Sequence, residues 1–309
     1  MRAVKVFDGQ VGVVDVPDPA GDGVMVWVKS SGICGSDLHL VPWSPTAVLG
    51  HEFAGELIDH TRVAVQPTVP CGSCDQCTRG ASHLCRTLMA RIYGVSLDGG
   101  LAERVLVDPS CIVLLPATLD TASAVLVEPT AISVHAANRC EIAAGERVLV
   151  VGAGTIGVLT AAALVAHGAQ VDVVARHHAQ EVAVEAVGAR PTTEGEYEAV
   201  VDAAGTQSSL DTAIERVAPG GRVVAVGTYW DPVSIGIALL AKEAQLVPAY
   251  GYGHASGRRE VELAVDLLAA NPAIAGAVIT HRFALHEATE AFRVAADRSA
   301  GAIKVVLHP

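Results

Sequence analysis

From Val148 to Ala166 the chain runs for 19 residues without a charged side chain. On length alone such a run reaches across a bilayer. Its internal pattern points elsewhere. Arg147 to Val151 reads as an apolar strand, Gly152, Ala153, Gly154, Thr155, Ile156 and Gly157 as a tight turn, and Val158 to His167 as a helix. A strand, a G-x-G-x-x-G turn and a helix in that order form a βα unit suited to a dinucleotide. The first glycine permits the turn, the second lets backbone N–H groups reach a pyrophosphate at the helix N-terminus, and the third lets helix and strand pack closely. Gly152, Gly154, Thr155, Ile156 and Gly157 are therefore candidate cofactor contacts.

The alternation continues downstream. Val171 to Ala175 reads as the second strand, and at its end, where an acidic residue would hold an adenosine ribose hydroxyl, stand Arg176, His177 and His178. An arginine there pairs with a 2′-phosphate, so the sequence favours NADP(H) over NAD(H), with Arg176 and His177 as contacts. Asp172 lies four residues too early, within the strand. A strand over Ala199 to Ala203, a helix over Ser208 to Val217, a turn at Pro219 to Gly221, a strand over Val223 to Val226 and a last strand near Gln245 to Tyr250 complete a doubly wound parallel sheet over residues 132–252. Arg258 to Ala270 reads as an amphipathic helix, and Ala302 to Leu307 returns to strand character and rejoins a first domain made of residues 1–131 and 253–309.

That first domain begins with alternating strands broken by turn signals at Asp8, Pro17 and Gly21, and Val24 to Lys29 delivers the chain to Cys34. Cys34, His51 and Glu52 supply a thiolate, an imidazole and a carboxylate, the donors a borderline-soft divalent ion takes. Asp37 is placed to accept the other ring N–H of a metal-bound histidine, and Ser36 and His39 to pass a proton outward. Cys71, Cys74, Cys77 and Cys85 form C-x2-C-x2-C-x7-C within a lobe at about residues 67–90, the pattern of a closed structural zinc site. The bacterial iron–sulfur run has a shorter last gap followed by proline, whereas Arg86 follows Cys85 here. Leu119 to Asn138 reads as a helix interrupted at Pro129, which would turn Glu128 toward a site.

A chain of 309 residues exceeds what one core usually serves, which agrees with two domains. Its formal net charge of −12, with no Lys/Arg cluster, excludes nucleic acid and anionic membrane surfaces as partners and leaves small molecules. The charged, alternating N-terminal residues do not read as a secretory signal, which suggests a cytoplasmic protein. In that setting seven cysteines stay reduced, which favours metal or catalytic use over disulfides, and Cys111 and Cys140 read as buried small residues.

Taken together, the stretches Gly32 to His39, Gly50 to Gly55, the four clustered cysteines, Asp98 to Glu103, Glu128 with Pro129, Gly152 to Gly157 and Thr280 to Phe283 resemble the zinc-dependent medium-chain alcohol and polyol dehydrogenase family. The resemblance implies an α/β chain: a doubly wound Rossmann domain plus a mostly-β, GroES-like catalytic domain carrying the structural-zinc lobe. It implies two Zn²⁺ per chain, one structural and one catalytic, the latter on Cys34 and His51 with Glu128, or alternatively Glu52, as third ligand. It also implies a homodimer or homotetramer. Zinc would act as Lewis acid while hydride passes to the nicotinamide.

Only sixteen residues separate Cys34 from His51, and the turn at Ile58 to Arg62 is short. Leu38, Leu40, Trp43 and Ile132, expected near the substrate, are apolar, which favours an aliphatic or alicyclic secondary alcohol and its ketone. The alternatives are a polyol or sugar derivative and, from another class, a non-catalytic nucleotide-binding protein with structural zinc only.

Overall fold

The computed structural model describes residues 1–192 and 194–309. The chain divides into two units, one of Met1–Glu128, Ala264–Ala275 and Ile279–Pro309, the other of Pro129–Leu263 and Gly276–Val278.

In the first unit a hairpin of β1 (Arg2–Phe7) and β2 (Gln10–Asp15) precedes β3 (Val24–Ile33). Helix α1 (Gly35–Leu40) follows at once, then β4 (Glu52–Glu56), β5 (Arg62–Val65), the short α2 (Asp75–Thr78) inside the cysteine lobe, β6 (Arg104–Val107) and β7 (Ile112–Leu114). Strand β3 alternates at its start, with Val26 and Val28 buried and Trp27 half-buried between them, so one face packs on a core with Phe53, Val63, Val65, Val105 and Val107.

Helix α3 (Val127–Cys140) carries the chain from the first unit into the second, which starts at Pro129. The expected helix from Leu119 with a break at Pro129 is not what forms: residues 119–123 are irregular, a 3-10 turn covers Ala124–Leu126, and Pro129 sits in the first turn of α3. There its missing N–H has no intrahelical acceptor to lose, so the proline starts the helix instead of bending it.

Strands β8 (Arg147–Val151), β9 (Gln170–Val174), β10 (Tyr197–Asp202), β11 (Val217–Ala225) and β12 (Gln245–Pro248) make one parallel sheet in the order β12-β11-β10-β8-β9. Helices α4 (Thr155–Ala166), α5 (His178–Ala186) and α6 (Gln207–Arg216) are the crossovers, and α7 (Ile237–Ala241) precedes β12. Strand order reverses between β8 and β10, the switch point where such sheets bind ligands. Leu149, Val151, Val200, Leu210 and Val223 form the core on one face. Pro219–Gly221, read as a turn, lies within β11 as an irregularity that shifts its register on β10, with Gly220 at φ +74°, and a hairpin of β13 (His254–Ala255) and β14 (Arg258–Arg259) occupies the start of what read as a helix from Arg258, so α8 begins at Glu260 (Glu260–Ala270).

After α9 (Ala273–Val278) the chain supplies β15 (Ile279–Ala284), α10 (Ala288–Ala296) and β16 (Lys304–His308) to the first unit. Its seven-stranded sheet is ordered β15-β16-β3-β4-β5-β7, with β6 also on β3. The C-terminal strand thus pairs with the strand that leads to Cys34, Val305 opposite Ile33. Among the described residues no helix is long and apolar enough to cross a membrane; the uncharged run is β8, its turn and α4.

Candidate metal and cofactor sites

Strand β3 ends at Ile33, and Cys34 is the N-cap of α1 in extended conformation. Two residues into the helix, fully buried Asp37 turns back so that its Oδ2 accepts the Cys34 backbone N–H at 2.9 Å. Its other oxygen stands 3.2 Å from His51 Nδ1. That leaves His51 Nε2 to face away, 3.4 Å from Ser36 Oγ. His51 itself enters by the bend at Gly50, where φ is +97° and any Cβ would strike the Leu101 backbone N at 2.6 Å.

Donor atoms of Cys34, His51 and Glu52 all lie within 4.8 Å of one another. Glu128 does not join that set among the described residues, though it is buried near enough for the charges of His51 and Glu52 to act on it. Burial pushes the Glu128 carboxyl up to about 7, and Glu52 adds to this. Burial works to lower the His51 pKa, but the charges of Asp37 and Cys34 outweigh it and hold the value well above the ordinary 6.5. A thiol, an imidazole and three buried carboxylates share this pocket with a single buried ammonium, Lys304. Such a surplus of anionic donors around one imidazole suits a divalent cation.

Lys304 is the functional candidate that sequence reading missed. Its Nζ contacts both Glu52 oxygens, at 2.8 and 2.6 Å, and the Ile33 carbonyl at 3.0 Å. No spacing signal reveals it, because its partners lie 271 and 252 residues away. The remaining expected residues are less gathered. His39 is exposed, Leu40 is half-buried, and Trp43 is 83 % exposed. Leu38 packs against the core with Val4, Leu285 and Phe292. Ile132, on α3 in the second unit, is half-buried.

The four cysteines of the lobe come together as spaced. Cys71 and Cys77 sulfurs lie 3.9 Å apart, Cys74 and Cys77 3.5 Å, Cys74 and Cys85 4.0 Å. Tetrahedral zinc with Zn–S bonds of about 2.3 Å sets its sulfurs about 3.8 Å apart, so the residues fit the ion. Backbone N–H groups of Ser73 and Cys74 draw the Cys71 thiol down to about 5, whereas burial pushes Cys77 up to about 12. Arg86 closes the lobe with a two-point bridge to Asp75, at 2.6 and 2.7 Å.

In the second unit the three glycines of the turn stand in different surroundings. Gly152 has φ +106°; Gly154 is the N-cap of α4, and a Cβ placed on it would meet nothing within 4 Å; a Cβ on Gly157 would collide with the Gly152 carbonyl. The space over Gly154, at the N-terminus of α4, fits a pyrophosphate. Arg176 and His177 are exposed at the end of β9, where Gln180 Oε1 takes the Arg176 backbone N–H at 2.9 Å and His177 sits at the N-cap position of α5 without a side-chain capping bond. Asp172 is fully buried and held by Arg190 at 2.8 Å, Arg147 at 3.1 Å and the Tyr197 hydroxyl at 3.0 Å, so it is a brace of the sheet.

Comparison with known proteins agrees with this geometry. Residues 20–117 match the alcohol dehydrogenase GroES-like domain, and residues 121–308, more than half of the chain, match the glucose dehydrogenase C-terminus. L-galactonate-5-dehydrogenase of Escherichia coli K12 is 36% identical over 250 residues, covering 70% of this chain and 72% of that one. The structure of L-idonate 5-dehydrogenase from Escherichia coli K-12 MG1655 superposes with a TM-score of 0.88 at 26% identity, over 100% of this chain and 97% of that one. A zinc-binding dehydrogenase target from Sinorhizobium meliloti 1021, solved bound to NADP, gives a TM-score of 0.87 at 29% identity over 100% and 99% of the two chains. The chain belongs to the medium-chain dehydrogenase family and is a zinc-dependent, NAD(P)-dependent alcohol dehydrogenase.

Proposed function

We propose that this dehydrogenase oxidises a secondary hydroxyl of a polyol or sugar-derived acid, with NADP⁺ as hydride acceptor. The observation that carries the substrate class is the fate of the apolar wall. Leu38 is spent on the core and Trp43 stands in solvent, so two of the four side chains that favoured an aliphatic or alicyclic alcohol do not serve that purpose. The relatives named for L-galactonate and L-idonate support the same choice. Arg176, exposed at the end of β9, supports NADP(H), because a guanidinium pairs with a 2′-phosphate where a carboxylate would repel it.

Cys34, His51 and Glu52 would hold the catalytic zinc, with Glu128 as the alternative third ligand, and Cys71, Cys74, Cys77 and Cys85 a second, structural one. When bound, the catalytic zinc supplies Lewis-acid polarisation of the substrate oxygen. Asp37 keeps the proton on His51 Nδ1 and so leaves Nε2 as the donor. Ser36 Oγ, 3.4 Å from that ring, accepts the hydroxyl proton as it passes its own on toward His39, which is exposed and releases a proton to water. The α4 N-terminus binds the pyrophosphate and Arg176 fixes the adenosine end. A homodimer or homotetramer is supported by Ile237 and Leu240, which are 81% and 75% exposed on α7, and by the open edge of β12. Seven free thiols suit a reducing, cytoplasmic setting.

The test is a set of initial rates with NADP⁺ and NAD⁺ on sugar acids, polyols and cyclohexanol, before and after chelation. A sugar acid or polyol should lead in kcat/KM, NADP⁺ should be preferred, and chelation should remove turnover that Zn²⁺ restores. A lead for cyclohexanol would return the substrate to the aliphatic class.

A further inference from the structure

We infer that Lys304 is a positioning residue of the metal site: carried in by the C-terminal strand, it ties the segment before Cys34 to the carboxylate after His51 and so sets Glu52 as a metal ligand. The inference rests on Cys34, His51 and Glu52 being that site.

An ammonium has three N–H donors, and those of Lys304 have three acceptors: the Ile33 carbonyl, Glu52 Oε1 and Glu52 Oε2. Ile33 directly precedes Cys34, and Glu52 directly follows His51. One side chain therefore fixes both ligand-bearing segments. Lysine and glutamate are 2% and 1% exposed, so solvent does not compete. Strand register supplies the rest. Gly32 lies opposite Glu52 across β3 and β4, and a Cβ on Gly32 would collide with Glu52 Oε2. Val305 lies opposite Ile33 across β16 and β3, which brings the neighbouring Lys304 alongside. Gly32 leaves the room, Lys304 fills it with charge, and the carboxylate is held between them.

A buried ion pair is a poor way to gain stability alone, since matched apolar residues do as well or better. Its use here follows from Glu52 having to stay ionised at one spot. Each carboxylate oxygen has two lone pairs, so a bond to Lys304 leaves one for a metal.

The experiment strips the full-length protein of metal, confirms folding by circular dichroism, and titrates it with Co²⁺ against a chromophoric chelator while recording the visible spectrum. The unaltered protein should take up two ions and Cys34→Ala one, the difference spectrum belonging to the Cys34 site. Lys304→Met should weaken that site by about 10- to 100-fold and alter its spectrum, leaving the four-cysteine site unchanged. Lys304→Arg keeps the charge but not the three-point geometry, should fall between, and carries the test if the methionine variant does not fold. If Lys304 acts through Glu52, the double variant Lys304→Met with Glu52→Gln binds no more weakly than Glu52→Gln alone. Lys304 variants with unchanged affinity and spectrum, or additive losses in the double variant, overturn the inference. Equal uptake by the unaltered protein and Cys34→Ala overturns the metal reading beneath it.

Discussion

The cysteine lobe and the Cys34 cluster are both read as zinc sites, yet they are built in opposite ways. The lobe takes all four ligands from Cys71 to Cys85, and its supports are equally close: the Cys71 N–H on the Cys85 sulfur, the Cys74 N–H on the Cys71 sulfur, and the Arg86 bridge to Asp75. The cluster draws Cys34 from the end of β3, His51 from the Gly50 bend and Glu52 from β4, and its support Lys304 from β16. A local site organises a short loop once its metal is bound, so its metal contributes folding energy. A site assembled by strand register is organised by the sheet, and its metal contributes chemistry.

The widest separation between the two lies in what a lost thiolate does. Cys74→Ala should destabilise the protein by more than about 4 kcal/mol, in the range reserved for losing a metal or comparable staple. Cys34→Ala should abolish turnover while thermal unfolding midpoints stay near those of the unaltered protein. Calorimetry beside steady-state rates decides; a cluster variant that melts like the lobe variant would erase the distinction.

The glycine turn and Arg176 are local, like the lobe, but act on a ligand. Arg176→Ala should raise KM for NADP⁺ by about 10- to 100-fold, as expected for one or two charge-assisted bonds, and leave KM for NAD⁺ nearly unchanged. Equal effects on both cofactors would remove the phosphate-reading role.

Glu260 offers the mildest probe, a buried carboxylate that gathers distant donors as Glu52 does but lies outside both candidate metal-ligand groups among the described residues. It accepts from His135 at 2.8 Å, Asn138 at 2.8 Å and the Gly253 backbone at 2.7 Å. Burial raises its pKa, but these bonds outweigh that and hold it below the ordinary 4.5. A depressed carboxylate stabilises the fold above its unfolded value and loses that contribution as pH falls through the folded value. Glu260→Gln should therefore cost about 1–2 kcal/mol near neutrality, and the gap to the unaltered protein should close below pH 4.5. Denaturant titrations across pH test this; a gap that widens in acid contradicts the sign.

The sequence by itself determined the parts whose meaning is carried by neighbours in the chain. The βα unit at Arg147 to His167 was legible because an apolar strand, a spaced glycine turn and a helix are one local object; the strand forms at the expected bounds, and the helix starts three residues early, at Thr155, inside the glycine turn. The lobe was legible because thiolate spacing fixes which sulfurs meet. Asp172 was correctly kept inside its strand for the same reason. Tertiary structure alone decided that Glu52 stands within reach of Cys34 and His51, that Lys304 holds it, that Leu38 turns to the core, and that Pro129 begins a helix where a break was expected. Each depends on sheet register or on which face of an element meets a core. Spacing along the chain carries no information about residues that meet across more than 250 positions, as Lys304 and Glu52 do 252 apart, because their meeting is set by how β16, β3 and β4 align.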